Sequence, residues 1–283
     1  MSMSINTNAG AEVAAVAAQR AAAMMDEAML RLSTGKRINS ARDDAAGLAV
    51  ATRMAKEIAG LGQALRNAND AQGLIDTGES ALQEVSTLLL RMREIAVSAS
   101  SDTNTDADRA ALDTEVTALE TEISRIGDQT SWGGINLFTG THDKDSPIRF
   151  HLGPTSTNFI DVTLGVVSIA ARGSDLQGSL SLTGSVSSRT NATSYLTGID
   201  AAISIISARR GNFGAVSNRL TSAIANLENM KSSMVTAKGQ VEDANYAEET
   251  AKLARAQILM QAATAMLAQA NASKNATLKL VTG

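Results

Sequence analysis

Between Val241 and Val281 the chain is apolar on too many faces to stand alone in water. Leu253, Met260 and Leu267 recur every seven residues, with Ala256, Ala263 and Ala270 three further on. Ile258, Leu259, Ala265 and Met266 widen the stripe beyond one helix face. A helix of this kind needs neighbours nearly all round, taken from the rest of the chain or from other copies of it. The N-terminal limb has the same character. From Asn8 to Leu32, residues Ala11, Ala14, Ala18, Ala21, Met25, Ala28 and Leu32 follow alternating three- and four-residue steps, with Ala9, Val16, Ala23 and Leu30 alongside. Both limbs read as helices with broad contact faces of small residues.

Gly35 supplies a stop to the first limb, and Ser40 followed by Asp43 has capping-box spacing for the next helix, so Ser33 to Arg42 reads as a structured elbow. Beyond it, Ala68, Ala71, Ile75, Gly78, Leu82, Val85, Leu89, Met92, Ala96 and Ala99 hold the inward positions of a heptad over more than four repeats. Ser100 to Asp106 is polar and turn-rich. Leu112, Val116, Leu119, Ile123 and Ile126 then lay a stripe on a shorter helix expected to fold back antiparallel. A third bundle helix follows from Ile206, Phe213, Leu220, Leu227, Met234 and Val241, accompanied by Arg209, Val216, Ala223, Met230, Ala237 and Ala244. Its register fails past Glu248, which places a change of packing partner near Asn245 to Glu249.

The interval between the second and third bundle helices has a different composition. No alanine occurs from residue 119 to residue 169, whereas both prolines, both histidines and four of the seven aromatic residues lie there. Ile148, Phe150 and Leu152 alternate with polar residues, Gly153 to Asn158 makes a turn, and Ile160, Val162 and Leu164 alternate again, which reads as a hairpin. Ser174 to Thr193 is rich in Ser, Thr and Gly and is expected as exposed loop with at most short strands. The fold class is mainly α: a long helical coiled-coil bundle with paired terminal helices and a small β-hairpin-rich tip.

Only 2% of the residues are aromatic, and small side chains suit closely packed helices better than one thick core. The net charge of -4 offers no general attraction to nucleic acid or anionic lipid. Cysteine is absent, which removes disulfides and thiol chemistry. No phosphate-cradling loop, nucleophile elbow or paired carboxylate in an apolar setting occurs, and His142 with His151 makes no metal site by spacing. The expectation is a protein that is no enzyme and takes no cofactor or metal. Ala256 to Ser273 is uncharged and long enough to invite a membrane reading. Gln257, Gln261, Gln269 and Asn271 would then sit in hydrocarbon, so a water-excluded helix bundle is the better reading. The opening MSMSINTNAGAEVAAVAAQR has no basic leader and carries Glu12 in its apolar part, so a cleaved secretory signal is not expected.

Several long stretches resemble one family. SINTN at Ser4 to Asn8, RLSTGKRINSARDDAAGLAVATRM at Arg31 to Met54 and LRNANDAQGLIDTGESALQEV at Leu65 to Val85 are similar to the N-terminal half of bacterial flagellin. IDAAISIISARRGNFGAVSNRLTSAIANLENM, VEDANYAEETAKLARAQILMQAATAMLAQAN and the final LKLV resemble its C-terminal half, with a short middle. The resemblance implies a homopolymer of identical subunits in the secreted, extracellular flagellar filament. Residues 1-44 plus 245-283 would form the inner layer, 45-130 plus 194-244 a helical rod domain, and 131-193 a short variable region facing outward. The limbs, largely disordered in free family monomers, would fold when subunits stack, with Ala11, Ala18, Met25, Leu32, Leu253, Met260, Leu267 and Ala270 as assembly positions. The implied partners are an export chaperone on the C-terminal limb, a filament cap and hook-filament junction proteins. Export would run through the flagellar type III apparatus.

Flagellins sensed by the mammalian flagellin-sensing innate receptor carry a Gln-Arg-x-Arg-Glu-Leu pattern on the rod helix. Leu90, Arg91, Met92, Arg93, Glu94 and Ile95 occupy it here, so Arg91, Glu94 and Ile95, with Glu115 on the next helix, are the candidate receptor surface. The same side chains also suit a plain solvated face that bridges subunits. Three other functions compete with the filament subunit: a hook-filament junction protein, a membrane-active type III translocator, and an enzyme carried in the tip, for which no catalytic constellation exists.

Overall fold

The computed structural model describes residues 7–139, 147–153, 158–165, 167, 182 and 184–282, with side chains as far as residue 276. In chain order it contains α1 (Ala9–Thr34), α2 (Ala45–Ala99), α3 (Asp106–Gln129), β1 (Ser131–Trp132), β2 (Ile135–Asn136), β3 (Ile148–His151), β4 (Phe159–Val162), α4 (Arg189–Glu242) and α5 (Tyr246–Thr282). The architecture is mainly α, with two small antiparallel hairpins between α3 and α4. Two compact units divide it: Met1–Ile58 with Ser233–Gly283, and Ala59–Ser232.

In the second unit the heptad of α2 becomes a dry seam. All ten residues from Ala68 to Ala99 that hold its inward positions are buried. Against them α3 runs antiparallel, started by Thr105, whose hydroxyl accepts the Asp108 N–H while the Asp108 carboxylate accepts the Thr105 N–H. Val116 and Ile123 are buried, and Leu112, Leu119 and Ile126 pack on the same core. α4 is also antiparallel to α2, fixed along its length by Gln72 to Ser217, Glu79 to Arg210 and Arg93 to Asp200. It buries Ile206, Phe213 and Leu220, and Tyr195 is enclosed with its hydroxyl donating to Glu120. Of the accompanying row, Val216 and Ala223 pack on this core, whereas Met230 is 45% exposed. At about 25 cal/mol per Å2 of apolar surface withdrawn from water, large side chains of this kind dominate the unit's stability.

The hairpin pairs Ile148 with Val162 and Phe150 with Ile160, and turns Ile160 and Val162 into the core. On its outer face Arg149 pairs with Asp161 at 2.9 Å and lies 4.1 Å from the Phe159 ring centre. Leu152 N–H donates to Asn158 O and closes the ladder; residues 154–157 of the expected turn lie outside the described residues. Gly127 leaves room for the chain to pass over α3, since a Cβ there would stand 1.7 Å from the Val167 carbonyl oxygen.

Three sequence expectations need correction. The cap of α2 is Asp44, whose carboxylate accepts the Gly47 N–H, and not Ser40; the Asp43 carboxylate instead holds the Asn39 and Ser40 N–H groups inside the elbow. Part of the expected loop Ser174 to Thr193 is helix, because α4 begins at Arg189; most of the rest lies outside the described residues. The change near Asn245 to Glu249 is a helix break that includes Asn245 but begins two residues before it, between Glu242 and Tyr246. β1 and β2 add to the hairpin-rich tip a pairing that the alternation pattern does not single out. They form a second hairpin, pairing Trp132 with Ile135 across Gly133 and Gly134, which adopt φ of 57° and 84° as a two-residue turn requires.

Candidate functional site

The first unit is built on α1 and α5, packed antiparallel. Alanine makes this close approach possible: Ala14, Ala21 and Ala28 of α1 and Ala256 and Ala263 of α5 are buried, each set spaced by sevens. Asn8 caps α1 by accepting the Ala11 N–H and also donates to Ala270 O at 3.3 Å, and Lys274 donates to Thr7 O, so one end of the pair is pinned. At the other end Arg31 bridges Glu27 and Glu249, and Lys252 reaches Glu248 and Glu249. The Glu249 side chain is only 5% exposed, and its Oε2 has no hydrogen-bond partner. Tyr246 donates its hydroxyl to Leu32 O.

The elbow between α1 and α2 is clasped to the break between α4 and α5. Lys36 and Asp243 form an isolated antiparallel bridge, Arg37 N–H donates to Glu242 O at 2.7 Å, and Ala244 N–H donates to Gly35 O at 2.9 Å. Ile38 is buried beside it, and Arg37 also donates to Val241 O. Glu242 takes ion pairs from Lys36 and Lys238. The hydrogen bond from Lys36 is the main reason its carboxyl is held below the ordinary glutamate value.

Away from this alanine seam the pair leaves large apolar side chains in water. Val13 is 70% exposed, Ile258 66%, Met266 57%, and Met24, Met29, Leu30 and Leu259 are exposed as well. Val13, Val16, Met24, Leu259 and Met266 line a groove of about 590 Å3. Contiguous apolar surface of this kind marks an interaction face. The positions expected for assembly flank the buried alanines: Ala11, Ala18, Met25, Leu32, Leu253, Met260, Leu267 and Ala270 are all half-buried.

Two family models match in sequence order, the bacterial flagellin N-terminal helical region over residues 5–143 and its C-terminal helical region over residues 196–281. A flagellin of Halalkalibacterium halodurans is 40% identical over 255 residues, covering 90% of this chain and 91% of that one. The chain belongs to the bacterial flagellin family. Polar flagellin F of Vibrio parahaemolyticus is 28% identical, covering 99% of this chain and 100% of that one. The crystal structure of Bacillus cereus flagellin covers 57% of this chain and 88% of its own, at 30% identity and a TM-score of 0.48. A flagellin is a structural protein of the bacterial flagellar filament, the extracellular polymer used for motility, and this chain is such a filament subunit.

A second candidate surface lies on α2 and α3 of this flagellin. Arg91 donates to Glu115 at 2.8 Å and to Glu94 at 3.2 Å, and these bonds, Glu115's first, hold its guanidinium above its ordinary pKa. All three side chains are exposed. Ile95 is not part of that surface, because at 3% exposure it sits in the core. Leu90, at the first position of the motif, and Val97 are 51% and 48% exposed and are the apolar neighbours of this cluster. His142 lies outside the described residues, and His151 contributes its carbonyl oxygen to Asn67. Among the described residues no group of three His, Asp or Glu could hold a metal ion, and no helix is long and apolar enough to cross a membrane.

Proposed function

We propose that α1 and α5 form the inner layer of the filament, and that Ala11, Ala18, Met25, Leu32, Leu253, Met260, Leu267 and Ala270 support the seams over which neighbouring copies close. The observation that carries this reading is the outward face of the pair, where Val13, Ile258 and Met266 are more than half exposed. Among the described residues no element covers them. Identical copies related by a head-to-tail operation that does not close generate an open helix, and each then covers the next. In this reading 1-44 plus 245-283 supply the inner layer, 45-130 plus 194-244 the rod domain, and 131-193 the outward variable region. An export chaperone shields α5 in transit through the type III apparatus, and growth proceeds on hook-filament junction proteins beneath a cap.

Deleting Leu253 to Val281 leaves a soluble bundle that does not polymerise on filament seeds. Sedimentable filaments from that truncation would overturn the proposal.

A second activity is supported by the exposed Arg91, Glu94 and Glu115 cluster: binding to the mammalian flagellin-sensing innate receptor. Purified monomer then activates receptor-bearing cells, and Arg91→Ala weakens activation about tenfold, as loss of a central Arg contact does at an interface. A monomer inactive at doses where a responsive flagellin acts excludes this binding.

A further inference from the structure

Met24, Met29 and Met266 are 43%, 51% and 57% exposed, and all three lie on the α1/α5 pair. Met24 and Met266 both line the apolar groove. In the second unit Met92 is at 0% in the core, and Met230 on α4 is 45% exposed, as accessible as the three but outside the α1/α5 pair. The chain has no cysteine to intercept an oxidant first. A thioether in water reacts with a peroxide by taking one oxygen atom on sulfur. The sulfur is oxidised by two electrons, the O–O bond breaks, and water leaves when the oxidant is hydrogen peroxide. The product is a polar, chiral sulfoxide in place of a flexible apolar chain.

We infer that Met24, Met29 and Met266 are oxidation sites that gate polymerisation: free subunits carrying sulfoxides there cannot join the filament, whereas subunits already assembled are shielded. Three sulfoxides place three strong acceptors in a largely apolar contact where Arg20 is the one guanidinium lining the groove, and a buried acceptor left without a partner opposes association. The inference rests on the proposal that neighbouring copies cover this face. Sulfoxides are reversible, so a methionine sulfoxide reductase returns the subunit to competence.

The test treats full-length monomer and sheared filaments with equal doses of hydrogen peroxide, maps each methionine by peptide mass, and measures the critical concentration for growth on seeds. The expected result is conversion of Met24, Met29, Met266 and Met230 in the monomer, none at Met92, and a critical concentration raised at least tenfold. Reductase treatment restores it. Replacing the three by Leu gives a protein whose growth peroxide does not change, although Met230 is still oxidised. If that triple variant grows poorly before treatment, the single Leu variants give the same comparison, each removing part of the sensitivity. Unchanged growth of a monomer fully oxidised at the three sites overturns the inference. So does sensitivity that survives their replacement. Equal oxidation of the three sites in monomer and filament, by contrast, strikes the underlying proposal that another copy covers them.

Discussion

The two compact units use the same seven-residue periodicity to opposite ends. In the second, the inward positions of α2 meet Phe138, Tyr195, Phe213 and Leu220, all at 2% exposure or less, and the core is complete within one copy. In the first, the buried positions of α1 and α5 are alanines, which bring two backbones close but withdraw little apolar area; Met25, Leu32, Leu253, Met260 and Leu267 are only half-buried beside them, and Val13, Met24, Ile258 and Met266 face outward. Burial per residue thus separates a unit that is stable alone from one whose apolar area is available for association. A heptad repeat by itself does not say which of these it will produce; the size of the side chains on the seam does.

The largest effect that tests this contrast is on assembly. Leu267→Asp places an unpaired carboxylate where neighbouring copies would close, and is expected to abolish growth on seeds while leaving thermal unfolding of the second unit unchanged. A variant that grew normally would break the comparison. Phe213→Ala is the mirror experiment. It removes a ring at 2% exposure and is expected to cost about 3–5 kcal/mol in denaturant unfolding, with assembly impaired only through that loss. Gly127→Ala should cost about 1–3 kcal/mol, because its Cβ would force the chain at Val167 away from α3.

The smallest effect depends on pH. The Glu242 carboxyl is held below 4.5 chiefly by Lys36, so its folded value lies under its unfolded one. Stability from this source is present at neutral pH and is lost as pH falls through that lowered value. Acidification should therefore loosen the clasp in hydrogen exchange of the Arg37 and Ala244 amides, and Glu242→Gln should flatten that response.

The long heptads were legible because their period is a local property. The ten α2 positions chosen by spacing are all buried, and the alternation of Ile148, Phe150, Ile160 and Val162 gave the hairpin its pairing. Element ends were less legible, since caps are settled by competition between neighbours. Ser40 had suitable spacing, but Asp43 was engaged with Asn39 and Ser40, and Asp44 took the cap. The Ser131–Asn136 hairpin did carry a signal, two glycines between short β-prone pairs, although its strands of two residues are too short to show alternation. Ile95 was placed on a surface by motif position, whereas its position on α2 turns it inward beside Met92 and Ala96, which are also buried.

Alanines repeated at equal intervals make a ruler without a zero. If α1 slid along α5 by one heptad, Ala14, Ala21 and Ala28 would meet nearly the same surface, and packing alone would hardly object. The polar contacts at the two ends supply the origin: Asn8 on Ala270 at one extremity, and the Gly35–Arg37 crossing over Glu242–Ala244 at the other. These few hydrogen bonds choose one alignment from several of similar packing, and in a polymer of identical copies an error in that choice would be repeated along the whole fibre.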